Sequence, residues 1–384
     1  MNFVYVCPES EDLKHSIEMR CAAPARVINR TGRYSADLIG WRDFALNSPT
    51  AMELLDRSDY IIIHRGLWAS ILPRIQHWKA RDKTIIADFR DAYQLMEPDE
   101  LVDVYDMEVN GGLQAGDSPE RQIDLLTQLK WTLQATHGAT TPSKRLCDDW
   151  NAYTRSLVVP DYLDLDRLNL IVPQEHDQIV LGWQGSVRRI QSMKKSGILM
   201  AFQAACQMRK NIKFLLFVDH PEAVDDLGLP PEQLEVIGWN SPGGWNRQLS
   251  RIDIGLSSMV GEFEQRCSCS QLLEFMALKI PWIASQGAAV YDMQSYGWIV
   301  ENTAESWLKA TIEMIDHLDD YRAEAAIAPY LFAISKNLEE NIQTLVDTYI
   351  RLGSLYSTRP LGSPDTKPSG QLHTPLSRET ENEK

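Results

Sequence analysis

Four segments of the chain bring together residue types that can do chemistry. In the first, Gly182-Trp183-Gln184-Gly185-Ser186 ends an apolar run and leads to Arg188, Arg189, Lys194 and Lys195. Glycine lets main-chain N–H groups approach a phosphate, a helix starting there adds a favourable partial charge, and arginine makes paired bonds to phosphate oxygens. The segment reads either as an anion cradle built on Gly185, Ser186, Arg188 and Arg189, or as a tight strand-to-helix turn before a solvated basic face. The second segment runs from Phe263 to Ala277 and carries Arg266, Ser268, Gln271 and Glu274. Ser268 or Ser270 can cap a helix that packs through Leu272, Leu273, Met276 and Ala277. On that helix the Glu274 carboxylate could accept bonds from a ribose diol, or be an ordinary exposed acid.

The third segment, His64-Arg65-Gly66, ends the run Tyr60–His64; His64 could position a bound group and Arg65 hold a phosphate or carboxylate. The alternative pairs Arg65 with an acid of its own domain. The fourth, Asp88-Phe89-Arg90-Asp91, follows Thr84–Ala87, and Asp88 or Asp91 could deprotonate or bind a hydroxyl. Structural pairing of these acids with Arg90 or Arg65 is the plainer account. Asn110-Gly111-Gly112 is either an acceptor lid or a turn. Trp183 and Trp239, near strand ends, are candidates to flank a base or sugar.

Such residues need strand ends to carry them, and the sequence supplies a strand–helix rhythm twice. Strands are expected at 3–6, 60–64, 84–88, 139–141 and 156–159, then at 179–183, 213–218, 234–237, 252–256, 281–284 and 298–300. Amphipathic stretches between them, including 70–80, 119–135, 192–208, 270–278 and 304–318, are expected helices. Two α/β halves with doubly wound parallel sheets follow, with a boundary in the polar stretch 164–177. The expected divisions are 1–170, 171–335, a C-terminal helix over 336–356, and a disordered Pro/Ser/Thr-rich tail over 357–384.

Composition limits what such a chain can be. At 384 residues it exceeds one core and suits two. A net charge of −15, from 38 basic and 53 acidic residues, argues against a general nucleic-acid binder. The sequence opens without a basic, apolar leader and has no window of 18 apolar residues, so the protein is expected in the cytoplasm, with membrane contact peripheral at most. Six scattered cysteines do not make a disulfide scaffold, the eight histidines show no metal-binding spacing, and neither a P-loop nor a GxGxxG pattern occurs.

The segment from Asp253-Ile254-Gly255-Leu256 through Phe263–Ser268, Leu273-Glu274-Phe275-Met276-Ala277, Pro281 and Ala284-Ser285 to Tyr291, Gly297 and Trp307 resembles the nucleotide-binding domain of GT-B glycosyltransferases, nearest to family 4. Gly182–Ser186, Thr141-Pro142-Ser143-Lys144 and Val159-Pro160 are similar to other stations of that family.

The resemblance implies two Rossmann-like domains facing across a cleft, with the last helix returning to the first domain. It implies hexosyl transfer from a nucleoside-diphosphate sugar to a glycan, lipid-linked or small-molecule hydroxyl, with retention and without a metal or other cofactor. Donor binding would fall to Gly185, Ser186, Arg188, Arg189, Trp239, Arg266, Ser268, Gln271 and Glu274, and acceptor chemistry to His64, Arg65, Asp88 and Asp91, with Glu274 on the donor ribose at the cleft surface. Two departures stand out. Lysines common in the family are Cys267 and Gln271 here, and the first acid of its E-x7-E pair falls on Arg266. A catalytically silent scaffold, or a nucleotide-sugar epimerase of the same fold, is the alternative.

Overall fold

The structure, a computed structural model, describes residues 1–10, 13–110, 124–174, 176–224, 226–239 and 244–354. The expected disordered tail and the Gly111-Gly112 turn lie outside the described residues.

Strands β1 (Asn2–Cys7), β2 (Ser35–Gly40), β3 (Tyr60–His64), β4 (Thr84–Asp88), β5 (Gly138–Thr141) and β6 (Ser156–Val158) form one sheet in the order β2-β1-β3-β4-β5-β6. Every pairing in it is parallel. Helices on both faces bury β3 and β4 almost throughout, so these strands read as unbroken apolar runs. Strand β2 was not expected from the sequence. It is an edge strand, half exposed, and Asp37 interrupts its short apolar run, so it lacks that signal.

The second sheet contains β7 (Ile179–Gln184), β8 (Ile212–Val218), β9 (Leu234–Gly238), β10 (Ile254–Ser257), β11 (Trp282–Ser285) and β12 (Trp298–Val300), in the order β12-β11-β10-β7-β8-β9. It too is parallel throughout. Strand order reverses between β1 and β3 in the first sheet and between β7 and β10 in the second, and such points open a crevice at the carboxyl ends of the strands.

The single helix expected at 192–208 is two helices, Val187–Ser196 and Ile198–Met208, broken at Gly197. Its φ is +83°, and a Cβ there would come within 2.5 Å of the Ala304 amide, so only glycine makes this turn.

The chain crosses between domains twice. The Leu163 N–H donates to the Lys336 carbonyl at 2.9 Å, and the Leu338 N–H to the Leu163 carbonyl at 2.8 Å, joining the outgoing and returning segments. Helix Leu338–Ser354 then lays Leu345, Val346, Tyr349 and Leu352 into a cluster with Phe3, Tyr5, Ile62 and Ile86 of the first sheet. Each such side chain, fully buried, contributes roughly 1.5–3 kcal/mol. This packing fixes the second crossing.

Candidate functional site

On the first domain, His64 ends β3 with no exposed surface. Its Nδ1 lies 2.7 Å from Asp88 Oδ2 and its Nε2 2.9 Å from Ser16 Oγ. Asp88 also accepts the Thr140 hydroxyl at 2.6 Å and pairs with the buried Arg20 guanidinium, whose Nε is 3.2 Å away. Arg20 donates onward to the Val159 carbonyl at 2.8 Å and lies 3.2 Å from Asp161 Oδ1. Burial lowers the His64 pKa despite Asp88, so the ring is neutral. Burial alone would raise Asp88, but Arg20 and His64 outweigh it and hold the carboxyl well below the usual carboxylate range.

Arg65 has a left-handed backbone, φ +61°, uncommon outside glycine. Its guanidinium is held by Asp91 at 2.5 Å and Glu108 at 3.2 Å, and Glu108 accepts in addition from Tyr93 Oη at 2.8 Å and the Gly66 N–H at 2.9 Å. The acceptor roles expected of His64, Arg65 and Asp88 draw no support from this arrangement, because all three are buried and bonded within their own domain. Asp91 keeps some exposure while bonded to Arg65. The unforeseen partner is Arg20.

On the second domain the Gly185 N–H donates to the Phe217 carbonyl at 3.2 Å, so it extends the ladder instead of facing a ligand. A Cβ at Gly185 would come within 2.3 Å of the Trp183 ring, and this close approach is what requires glycine. The anion-cradle expectation is corrected for that amide. Trp183 itself is buried and donates to Ser258 Oγ at 3.3 Å, and the half-exposed Trp239 donates to the Phe217 carbonyl at 3.2 Å. Ser186 begins the Val187–Ser196 helix without a side-chain cap. The Arg188 side chain lies outside the described residues. Arg189 donates through Nε to the buried Glu264 at 3.1 Å, and Gln271 donates to Ser257 Oγ at 2.9 Å beside the strand reversal.

Glu274, expected at the cleft surface, is 0% exposed. Arg167 Nη2 reaches one carboxylate oxygen at 2.5 Å and Trp245 Nε1 the other at 2.7 Å. The physical reason for this correction is the interdomain linker. Helix Leu165–Leu168, capped by Asp164, projects Arg167 back onto helix Ser270–Ala277.

The two carboxyl edges meet at polar contacts. Arg266 pairs with Asp149 of the first domain and with Glu262, the latter at 2.6 Å. The Ser143 hydroxyl caps helix Lys144–Trp150 by accepting the Leu146 N–H at 3.2 Å, and donates across the cleft to the Arg266 carbonyl at 2.7 Å. Arg145 meets Glu262 at 2.8 Å. Ser268 donates to Asp161, and Arg90 Nη2 reaches both Asp161 at 2.8 Å and Ser270 Oγ at 3.2 Å. Arg90 and Arg20 hold the Asp161 pKa down against burial.

Sequence reading missed Arg20, Asp161, Arg167, Trp245 and His15 as members of this cluster. Their contacts join positions up to 141 apart, and no spacing announces them. The half-buried His15 lines a cavity of about 20 Å³ with Glu18, Tyr162, Asp164 and Arg167. Its ring makes no hydrogen bond among the described residues. Burial lowers its pKa, as do Arg90 and Arg167, against Glu274 and Asp161. An open groove of about 430 Å³ lies on the linker side, bordered by Arg26, Arg30, Asp166 and Arg167.

Burial pushes the Cys269 thiol up to about 12 and raises Cys267 as well, so neither has much thiolate character. Among the described residues no three His, Cys, Asp or Glu side chains are grouped to hold a metal ion, and no helix is long and apolar enough to cross a membrane.

Two facing doubly wound domains, with the terminal helix back on the first, define the GT-B fold. Solved structures agree. The chain is similar to sucrose-phosphate synthase from Thermosynechococcus elongatus, with 12% identity and a TM-score of 0.58 over 92% of this chain and 100% of that one. It is similar to Anabaena HepE in complex with UDP, with 9% identity and a TM-score of 0.60 over 91% of this chain and 100% of that one. A structure named for a UDP-N-acetylglucosamine 2-epimerase of Listeria monocytogenes matches at 10% identity and a TM-score of 0.54, over 91% of this chain and 96% of that one. No family model matches the chain, and no curated protein matches it. At these identities the likeness establishes the fold.

Proposed function

We propose that the chain is a glycosyltransferase, moving a hexosyl unit from a nucleoside-diphosphate sugar to an acceptor hydroxyl in the cleft between its domains, with retention of configuration. One observation carries this reading. The start of helix Ser270–Ala277, with Ser268 and Ser270, faces Arg90 and Asp161 of the first domain at the carboxyl edges of both sheets. That is where open α/β sheets bind ligands, and HepE has this fold and was solved with UDP and with UDP-glucose. In the reaction the bond from sugar C1 to the diphosphate oxygen breaks as the acceptor oxygen bonds C1, and the acceptor's hydroxyl proton passes to the leaving diphosphate. Guanidinium groups would stabilise the charge that develops on the leaving diphosphate. The reading calls on no cofactor.

A second reading has its own observation. Both Glu274 oxygens are engaged within the protein, as they would be in a silent scaffold that keeps the fold. Thermal shift against UDP, GDP, ADP and their sugars, followed by product detection with candidate acceptors, separates the two. Donor-dependent stabilisation with sugar transfer supports the transferase, and absence of any nucleotide response supports the scaffold. Release of a free C2 epimer would instead assign the epimerase chemistry named for the Listeria structure.

A further inference from the structure

Two rim arginines of the second domain are committed within the protein. Arg189 is paired with the buried Glu264, and Arg266 is held between the two carboxylates of Asp149 and Glu262. A donor tail carrying two or more negative charges still needs cations in a part-buried cleft.

Arg90 meets that requirement from the opposite domain. It follows β4, yet its Nη2 lies 3.2 Å from Ser270 Oγ at the first turn of helix Ser270–Ala277, four residues before Glu274. Its one carboxylate partner among the described residues is Asp161, at 2.8 Å, and that carboxylate is shared. Arg20 contacts its other oxygen at 3.2 Å, and Ser268 donates to the oxygen that Arg90 uses. A carboxylate therefore already sits between a guanidinium and a serine hydroxyl beside the start of this helix, in the bonding pattern a phosphate oxygen would take there. If that carboxylate withdrew, Asp161 would keep Arg20 as its counter-ion and Arg90 would be left with uncompensated charge.

We propose that Arg90, a first-domain residue, is the diphosphate-binding cation of the donor site, and that the Asp161 carboxylate occupies the diphosphate's place while no donor is bound. This rests on the transferase reading. It makes donor affinity depend on both domains, since the nucleoside would be held by one and its diphosphate by the other.

The test compares UDP with uridine by calorimetry on the full chain, for the wild type, R90Q, R90K and D161N. R90Q is expected to weaken UDP at least about tenfold with uridine unchanged, the size of one charge-assisted contact, and R90K to recover part of that loss. D161N is expected to tighten UDP severalfold, since the competing charge is gone. R90Q binding UDP like the wild type, or losing UDP and uridine equally, overturns the proposal and leaves the transferase reading standing. Should R90Q fail to fold, D161N decides: unchanged or weaker UDP binding overturns the proposal. A wild type that binds none of UDP, GDP or ADP removes the transferase reading, and this proposal with it.

Discussion

The Arg167 guanidinium reaches from the interdomain linker to the buried Glu274 carboxylate at 2.5 Å, and Trp245 Nε1 closes the other oxygen at 2.7 Å. Glu274 is thus a structural tie between linker and second domain. Glu274→Ala would leave a cation and an indole N–H unpaired in a buried place and is expected to destabilise the protein by about 3–5 kcal/mol. Denaturant melts of E274A and E274Q measure this, with the amide variant losing less. An E274A variant as stable as the wild type would show that the tie has no structural weight.

The Arg266 contact with Asp149 across the cleft is different in kind, because both side chains keep some exposure. Arg266→Ala is expected to change stability by about 1 kcal/mol or less, as partly exposed pairs do. Its effect should fall on geometry, since Asp149 loses its partner from the second domain. Small-angle scattering is the measurement: a larger radius of gyration for R266A than for the wild type is the expected result, and identical curves would show that the Arg266–Asp149 pair does not hold the domains together.

Gly185→Ala places a methyl group against the Trp183 ring, which has no room for it. The expected loss is about 1–3 kcal/mol from overpacking. A Trp183→Leu change in the same chain should restore part of it. Thermal melts of the single and double variants check this coupling.

Leu345 and Tyr349 dock the last helix on the first sheet. Leu345→Ala is expected to remove about 2–5 kcal/mol. Because the helix belongs to the first domain's core, chemical denaturation followed by Trp fluorescence should show that domain melting earlier while the second is unaffected. Simultaneous loss of both domains at a lower midpoint would mean that they unfold as one unit.

Acid should destabilise the fold through three histidines whose pKa the folded environment lowers. His137 accepts the Ile85 N–H at 2.9 Å, and burial with Lys79 nearby lowers its pKa from 6.5 to about 4; His64 and His15 shift in the same direction. Each is neutral when folded and takes a proton more readily when unfolded. Their contribution is therefore intact above pH 6.5, and is lost as pH falls from there toward about 4. Melting temperature against pH tests this, and His137→Asn, which cannot titrate, should flatten part of the decline.

The α/β class was legible because parallel strands covered on both faces must be apolar along their length, as Tyr60–His64 and Lys213–Val218 are. Strand β2 escaped because an edge strand with Asp37 in it has no such obligation. The helix bearing Glu274 and the strand ends bearing His64 and Asp88 were readable from local spacing. Whether those groups stay available was not, since Arg20, Arg167 and Trp245 approach them from 68, 107 and 29 residues away.

The sequence by itself determined two runs of strand-and-helix units and the residue types at their ends, because periodicity and turn chemistry are local properties. Tertiary structure alone decided which carboxylates are buried and paired, and which guanidinium stands at the Ser270 helix. Partner choice in a folded chain depends on what approaches through space, and burial sets the strength of each charge interaction only after the domains have closed.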